Sequence, residues 1–269
     1  MIENSSASSN TAAVGRATLI PGNLRAPTQS LKSLESLESL GAPEQYGTHP
    51  LHSTFIELYD AGVELTQMKP NVWRRPRFFH LTQILGLTAG LPGATAETGC
   101  FRGLTSFLTC HYLRMEKERV GETYTGKNHL MIDSYEGLSQ PVGDDGGYAK
   151  SSWEKKAFTS TSVQRVAATM YQFPDVEIIK GWIPEVFSTL GEQSYRFVHV
   201  DVDLYQPTLD SLRYFYARMT TGGIIVIDDY GPWPKNQWPG CLKAVQEFSR
   251  EQDVPFAPLD TGNAIIIKR

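Results

Sequence analysis

Cysteines are scarce in the sequence, and long hydrophobic runs are missing. Three of the 269 residues are cysteine, Cys100, Cys110 and Cys241, and their spacing does not form a paired metal-binding motif. A small, odd number of cysteines is typical of a reducing compartment. Apolar runs fall short of a membrane-spanning helix, and the polar N-terminus lacks the basic start and apolar centre of a secretory signal. We therefore expect a cytoplasmic protein with no membrane partner.

An excess of basic residues is missing too. The formal net charge is -4, which argues against nucleic acid as a partner because a basic face is the usual footprint of such proteins. Hydrophobic residues make up 41% of the chain, which is enough for a substantial core. At this length, we expect one α/β domain with additions, or at most two small domains.

Composition and spacing divide the chain into three regions. Residues 1–45 are polar and include a stretch of serine and leucine with a period of three, which predicts a flexible tail. Residues 46–92 are predicted to form a helical cap, because apolar residues such as Phe55, Tyr59, Leu81 and Leu85 recur at helical spacing. The remaining residues, 93–269, are predicted to form the main domain.

Strands and helices alternate along the main domain. The predicted strands are residues 94–97, 129–132, 176–179, 197–200 and 224–227, and the predicted helices are 104–115, 162–173, 184–190, 209–219 and 241–250. A closing hairpin is predicted around Thr261, Gly262 and Asn263. This order indicates a mostly parallel sheet with helices on both faces and an antiparallel C-terminal edge.

The segment 134–160 interrupts this alternation. It contains several glycines, aspartates and a proline without clear periodicity, which is typical of a functional or disordered loop. Its aromatic residues Tyr135, Tyr148, Trp153 and Phe158 favour a lid that becomes ordered on ligand binding.

Four aspartates follow two of the predicted strands. Asp201 and Asp203 come after the strand 197–200, and Asp228 and Asp229 after the strand 224–227. Ligands of open α/β sheets bind outside the carboxyl ends of the strands. Carboxylates gathered there repel one another unless a cation lies among them, so the pattern predicts a site for a hard divalent metal. The alternative is a structural role as helix caps or turn formers.

A glycine-containing turn and a further acidic residue suggest an organic cofactor. Residues 97–103 follow a predicted strand and open a helix, but they lack the three-glycine dinucleotide fingerprint and the lysine of a phosphate loop. Asp133 ends the next strand, where a carboxylate can accept hydrogen bonds from both ribose hydroxyls. Arg102 is the one basic residue of the turn, which provides little charge for a pyrophosphate. S-adenosylmethionine, which has ribose and adenine but no phosphate, fits this pattern.

The motifs together resemble the macrocin O-methyltransferase (TylF-like) family over roughly residues 70–269. They are residues 97–103, 133–138, 180–182, 199–205 and 228–231, in that order. The resemblance implies a Rossmann-like class I methyltransferase fold with seven strands, S-adenosylmethionine and Mg²⁺ (or Mn²⁺) as cofactors, and a small-molecule hydroxyl acceptor from natural products or sugars. It also allows a homodimer or higher homo-oligomer, with the N-terminal helices at the contact.

The resemblance also implies roles for individual residues. Asp201, Asp228 and Asp229 would bind the metal, and Asp203 would be the general base. The order along the strand end favours this division between Asp201 and Asp203, and the reverse assignment stays open. The residues implied at the cofactor are Glu97, Gly99, Arg102, Gly103, Thr105, Ser106, Asp133, Ser134, Gly181, Trp182 and Asp201. Of these, Asp133 would hold the ribose, and Gly181 and Trp182 would border the adenine.

Other interpretations of the sequence remain. One is an enzyme that binds NAD or a nucleotide sugar on a similar sheet, and another is a binding module without catalysis. Within the methyltransferase interpretation, a carboxylate or nitrogen acceptor is the alternative to a hydroxyl. His199, inside a predicted strand, is interpreted as a packed core residue, and Trp233 and Trp238 as walls of the acceptor pocket or as loop packing.

Overall fold

A seven-stranded sheet runs through this computed structural model, which describes residues 50–231 and 237–269. Its strands are β1 (Ala94–Thr98), β2 (His129–Asp133), β3 (Glu177–Lys180), β4 (Tyr195–Val200), β5 (Met219–Ile227), β6 (Ala257–Pro258) and β7 (Ala264–Ile267). They lie in the order β3-β2-β1-β4-β5-β7-β6. The first five are parallel, while β7 is antiparallel to both β5 and β6. The prediction of a mostly parallel sheet with an antiparallel C-terminal hairpin is confirmed.

Helices connect and cover these strands. They are α1 (Pro50–Thr66), α2 (Arg75–Leu87), α3 (Leu104–Glu118), α4 (Gly146–Glu154), α5 (Val163–Thr169), α6 (Tyr205–Tyr216) and α7 (Pro239–Gln252). Short 3₁₀ turns lie at Val72–Arg74, Gly143–Asp145 and Glu185–Thr189. No helix of the described ranges combines the length and hydrophobicity that a membrane crossing requires.

Strand residues alternate between two hydrophobic clusters, one on each face of the sheet. In β4, Val198 and Val200 belong to the cluster that α6 and α7 cover, while Phe197 points to the other cluster. This period of two places successive side chains on opposite faces. Phe55 and Tyr59 of α1 are buried in the second cluster, so the N-terminal helices share the core of the sheet.

Strand register brings the acidic motifs together at one edge. Val200 of β4 pairs with Ile227 of β5, so Asp201 and Asp228, the next residues, lie side by side. Backbone hydrogen bonds continue past the strands, from Asp201 to Thr98 and from Asp228 to Val200, at 2.9 and 2.8 Å. The backbone hydrogen bonds between the strands therefore also fix the positions of Asp201 and Asp228 at the carboxyl edge of the sheet.

The segment 134–160 is more regular than its sequence predicts, because it contains a 3₁₀ turn and α4. Asp145 explains both this order and the early start of α6, four residues before the predicted residue 209. Its carboxylate accepts hydrogen bonds from the amides of Val142 and Tyr205, at 2.7 and 2.6 Å. A residue of the segment thus caps a helix 60 positions away, a contact that local spacing does not reveal.

Four predictions fall wholly or partly on residues outside the described ranges. These are the flexible tail 1–45, the stretch of serine and leucine within it, the first four residues of the helical cap (46–49), and Trp233.

Candidate active site

A cleft of about 260 Å³ lies at the carboxyl edge of the sheet. The end of β1, the ends of β4 and β5, helix α2 and the segment 134–160 all contribute to its walls. Ten of the residues predicted at the site line it: Gly99, Thr105, Asp133, Ser134, Gly181, Trp182, Asp201, Asp203, Asp228 and Asp229. The four aspartates and the predicted ribose-binding residue therefore open into one cavity.

Four residues predicted at the cofactor do not line this cleft: Glu97, Arg102, Gly103 and Ser106. Glu97 and Ser106 are buried beneath its floor. Arg102 instead donates hydrogen bonds to the carbonyl oxygens of Gln67 and Ser160, at 2.6 and 3.1 Å, which join the end of α1 to the end of the segment 134–160.

The glycine turn owes its shape to the close approach of two strand ends. Gly99 has a φ of +81°, and a Cβ atom there would lie 1.7 Å from the carbonyl oxygen of Asp201. A side chain at this position would collide with the backbone that carries the aspartates. Gly99 is thus needed both for the turn and for the position of Asp201.

Asp133 is held in place by the backbone around it. One carboxylate oxygen accepts a hydrogen bond from the amide of Phe101 at 2.8 Å, and the other from Tyr135 at 2.6 Å. Burial raises the pKa of Asp133, and these amides oppose the rise. These amides therefore fix the orientation of the carboxylate at the wall of the cleft.

Asp201, Asp203, Asp228 and Asp229 form a group that we call the aspartate cluster. Their carboxylates lie close enough for the negative charges to repel one another. Burial raises the pKa of Asp201 well above its usual range, and the charge of Asp228 adds to the rise. Burial likewise raises the pKa of Asp203, with contributions from Asp229 and Asp201. Both Asp203 and Asp229 also adopt left-handed backbone conformations, with φ of 60° and 55°. Conformations of this kind concentrate at functional sites.

The arrangement of donors fits a divalent metal. Single ligand atoms of Asp201, Asp203 and Asp229 lie within 4.8 Å of one another, as do those of His199, Asp201 and Asp228. Carboxylate oxygens at this density suit Mg²⁺ or Mn²⁺. The buried Nε2 atom of His199 has no hydrogen-bond partner among the described residues, so a nitrogen next to the cluster is also left without a partner by the fold.

His199 belongs to a buried chain of hydrogen bonds beneath the cleft, which we call the interior network: Thr95, His129, Ser106, Glu97 and His199. The ring of His129 lies 2.8 Å from Thr95 Oγ1 and 2.9 Å from Ser106 Oγ. The hydroxyl of Ser106 donates to Glu97 Oε2, and Nδ1 of His199 lies 3.2 Å from Glu97 Oε1. His199 is thus buried, as predicted, but it is paired rather than simply packed.

Arg77 is a site residue that sequence reasoning missed. It lies in the first turn of α2, and its Nη1 atom is 2.7 Å from Asp228 Oδ2 and 3.2 Å from Asp229 Oδ1. Burial by itself would lower the pKa of Arg77, but the charges of Asp228, Asp229 and Asp201 raise it overall. The one available signal was a group of basic residues, Arg74, Arg75 and Arg77, within the predicted helical cap, which is too common to single out a site.

Aromatic side chains border the cleft near the aspartates. Trp238 is buried and contacts Tyr148 of α4 edge-to-face, with ring centroids 5.1 Å apart. Phe158 and Trp182 are partly exposed and also line the cleft. An apolar wall with a few polar groups is typical of small-molecule sites.

Known proteins share this sequence pattern and this fold. A family model described as macrocin O-methyltransferase (TylF) matches residues 74–264. Demethyldecarbamoylnovobiocin O-methyltransferase of Streptomyces niveus is 26% identical over 171 residues, which are 61% of each chain. The chain therefore spans less than two thirds of the length of that curated relative.

Solved structures agree on the fold. The O-methyltransferase NovP superposes with a TM-score of 0.60 at 22% identity, covering 71% of this chain and 79% of that one. Methyltransferase PaMTH1 of Podospora anserina, solved with SAH bound, gives 0.50 at 16% identity, covering 91% and 100%. These similarities establish the Rossmann-like class I methyltransferase fold. Since the family model spans well over half of the chain, the protein belongs to the macrocin O-methyltransferase (TylF) family.

Proposed function

We propose that the protein is a divalent-metal-dependent O-methyltransferase that moves a methyl group from S-adenosylmethionine to a hydroxyl of a natural product or sugar. The observation that carries the proposal is the convergence of four aspartates, the Gly99 turn and Asp133 in one cleft. Membership of the family and the name of the Streptomyces relative support the reaction type. The SAH bound to the Podospora methyltransferase supports the methyl donor.

The cofactor half of the cleft would be formed by the ends of β1, β2 and β3. Asp133, fixed by two backbone amides, would accept hydrogen bonds from the ribose hydroxyls. Trp182 is 39% exposed at the cleft, so its ring is open to cover by an adenine. The amide of Gly181 donates to the carbonyl of Asp133 at 3.0 Å, which fixes these two elements relative to each other.

The metal half would be formed by Asp201, Asp228 and Asp229, with Mg²⁺ or Mn²⁺ as the ion. When bound, the ion would make the acceptor hydroxyl more acidic and orient it, and S-adenosylmethionine would provide the methyl group. The positive charge of the ion would offset the mutual repulsion of the carboxylates.

Asp203 would act as the general base. It lines the cleft, and its carboxyl is hydrogen-bonded to Asp229. Its carboxyl group is within 4.8 Å of ligand atoms of Asp201 and Asp229, so it would be close enough to a metal-bound hydroxyl to take its proton. General base catalysis contributes ~10²–10⁴-fold, and good orientation contributes up to ~7–11 kcal/mol of barrier reduction.

The test combines binding and turnover. Calorimetry with S-adenosylmethionine and with NAD should give binding of the first only. An acceptor screen by mass spectrometry should then give products one methyl heavier, with Mg²⁺ but not with a chelator. Asp228→Asn should abolish both metal binding and methyl transfer because it removes a charged oxygen from the metal group.

Asp175→Asn is the matched control, since Asp175 is exposed and its carboxylate accepts from Thr125 at 2.6 Å, away from the cleft. It should leave both activities unchanged. Full activity in chelator would rule out the metal, and tight NAD binding would instead favour a dinucleotide enzyme.

A further inference from the structure

The guanidinium of Arg77 lies where the proposed function requires a metal. It contacts Asp228 Oδ2 and Asp229 Oδ1, two oxygens of residues assigned to the ion. Its Nε atom also donates to the carbonyl of Thr261, at 3.3 Å. The side chains of Arg77, Asp228 and Asp229 are 13%, 9% and 19% exposed, so solvent screens these contacts only weakly.

Both carboxylate oxygens of Asp228 are already engaged. Oδ2 accepts from Arg77, and Oδ1 accepts from Asn263 Nδ2 at 2.6 Å. Asn263 is buried immediately before β7, whereas Arg77 reaches the cluster through a long side chain with many rotamers. Of these two partners, Arg77 is therefore the one that can move away from Asp228 when a metal binds, while Asn263 stays in place.

Electrostatic repulsion leads to the same conclusion. Mg²⁺ binds oxygens at ~2.0–2.1 Å, so an ion on the cluster would lie close to a guanidinium that kept its present contacts. Two cations at such a distance repel strongly in a partly buried site. The guanidinium and the ion are therefore alternatives for the same carboxylates.

On this basis, and given the proposed function, we propose that Arg77 is the resident counter-cation of the aspartate cluster and that a divalent metal binds by displacing it. Because Arg77 belongs to α2, metal binding would also release one contact between the N-terminal helices and the carboxyl edge of the sheet. Arg77 is thus a positioning residue that sets the affinity for metal and links it to the placement of α2.

The primary test is calorimetric titration of Mn²⁺ into the full-length protein without S-adenosylmethionine. Arg77→Gln should bind Mn²⁺ about tenfold more tightly than the wild type, a factor that corresponds to about 1.4 kcal/mol. The reason is that the metal no longer has to break the contacts to Asp228 and Asp229.

Two neighbouring arginines provide matched controls. Arg75 pairs with Asp60 of α1 at 2.6 Å, so Arg75→Gln breaks a contact between helices without touching the cluster. Arg74 lines the same cleft, and Arg74→Gln removes a positive charge there. Both variants should bind Mn²⁺ within about twofold of the wild type, because neither side chain occupies a ligand oxygen. If Arg74→Gln gained as much Mn²⁺ affinity as Arg77→Gln, the gain would come from the loss of any positive charge near the cleft. That result would overturn the displacement of Arg77 by the metal.

Hydrogen exchange provides a readout that does not depend on affinity. Mn²⁺ should increase amide exchange in the first turn of α2 in the wild type, and it should have no such effect in Arg77→Gln. Wild-type affinity or weaker binding in Arg77→Gln would overturn the role of Arg77 while leaving the metal site intact. Failure of every variant, and of the wild type, to bind metal would overturn the metal site itself and this inference with it.

Discussion

Two neighbouring polar regions, the interior network and the aspartate cluster, meet at the end of β4, where His199 and Asp201 are two positions apart. They differ in how their hydrogen bonds and charges are balanced. In the interior network, Glu97 and its neighbours form a continuous chain of partners within the sheet. In the aspartate cluster, carboxylates face one another, and Arg77 alone among the described residues provides a formal positive charge by direct ion pairing. Apart from Nε2 of His199, the side chains named in the interior network are paired and stabilise the fold, whereas the under-compensated aspartate cluster has capacity left for a ligand.

The comparison predicts opposite consequences for substitutions in the two regions. Substitutions in the aspartate cluster should lower methyl transfer with little effect on the stability of the fold. Substitutions in the interior network should mainly lower the stability of the fold. Three experiments, from the largest expected effect to the smallest, can sharpen or break this contrast.

Asp203→Asn should have the largest effect. Methyl transfer should fall by ~10²–10⁴-fold, because an amide cannot accept the proton of the acceptor. The thermal midpoint in chelator should not fall, since the substitution removes one of several repelling carboxylates. Rates by mass spectrometry and melting by calorimetry measure the two quantities.

Asp210→Asn is the control for Asp203→Asn, because Asp210 lies on α6 and accepts from Gln206 at 2.9 Å near the surface. It should change neither quantity. A large loss of stability in Asp203→Asn, with activity retained, would place Asp203 among the structural residues.

Acid should destabilise the interior network through His129. Burial lowers the pKa of His129 from 6.5 to about 4, although the charge of Glu97 opposes this. The folded state therefore favours the neutral ring. The resulting stability is complete above pH 6.5 and is lost as the pH falls from there through about 4. Over this pH interval, the contribution of His129 to the free energy of unfolding should fall by about 3 kcal/mol, at ~1.36 kcal/mol for each pH unit.

The measurement is the free energy of unfolding in urea at pH 7.5 and at pH 5. His129→Gln should show a smaller loss between these two values than the wild type. His111 contributes in the same direction, since burial also lowers its pKa to about 4, and it remains in both proteins. An identical pH dependence in both proteins would contradict the assignment to His129.

Glu97→Gln should have the smallest effect, a loss of about 1–2 kcal/mol in the free energy of unfolding. The amide keeps the shape of the side chain but loses the charge-assisted bonds to Ser106 and His199. Urea titration measures the loss. Glu122→Gln, which removes an exposed pair with Lys117, should cost no more than about 0.5 kcal/mol.

Glu97 was also predicted to contact the cofactor, so its variant tests that prediction. If Glu97 acts through the interior network, S-adenosylmethionine affinity should change less than tenfold while stability falls. A large loss of S-adenosylmethionine affinity with an unchanged free energy of unfolding would mean that Glu97 contacts the cofactor directly. The contrast between the two regions would then be wrong.

Much of the framework was predictable from local sequence. The apolar strand 224–227, ended by two aspartates, predicts both a buried strand and a polar residue at the carboxyl edge. Parallel pairing of β4 and β5 then follows from the alternation with helices, which leaves few topologies. The hairpin at the C-terminus was likewise visible from its turn residues and isoleucines.

Contacts between distant segments were not predictable in this way. Asp145 caps α6 from a segment that the sequence predicts to be irregular. Thr95, Glu97 and Ser106 share a buried network with histidines from two other strands. A single sequence does not reveal which of its many polar residues will meet, because such pairing depends on how helices pack over the sheet.

The sequence by itself determined the sheet, the place of the four aspartates at its carboxyl edge and the membership of a methyltransferase family. These follow from hydrophobic periodicity and short motifs, which act over a few residues. Only the tertiary structure decided that Glu97 and Ser106 lie beneath the cleft and that Arg77 reaches into the aspartate cluster. Burial and ion pairing depend on which surfaces pack together, and residues such as Arg77 and Asp228, 151 positions apart, meet only in the folded chain.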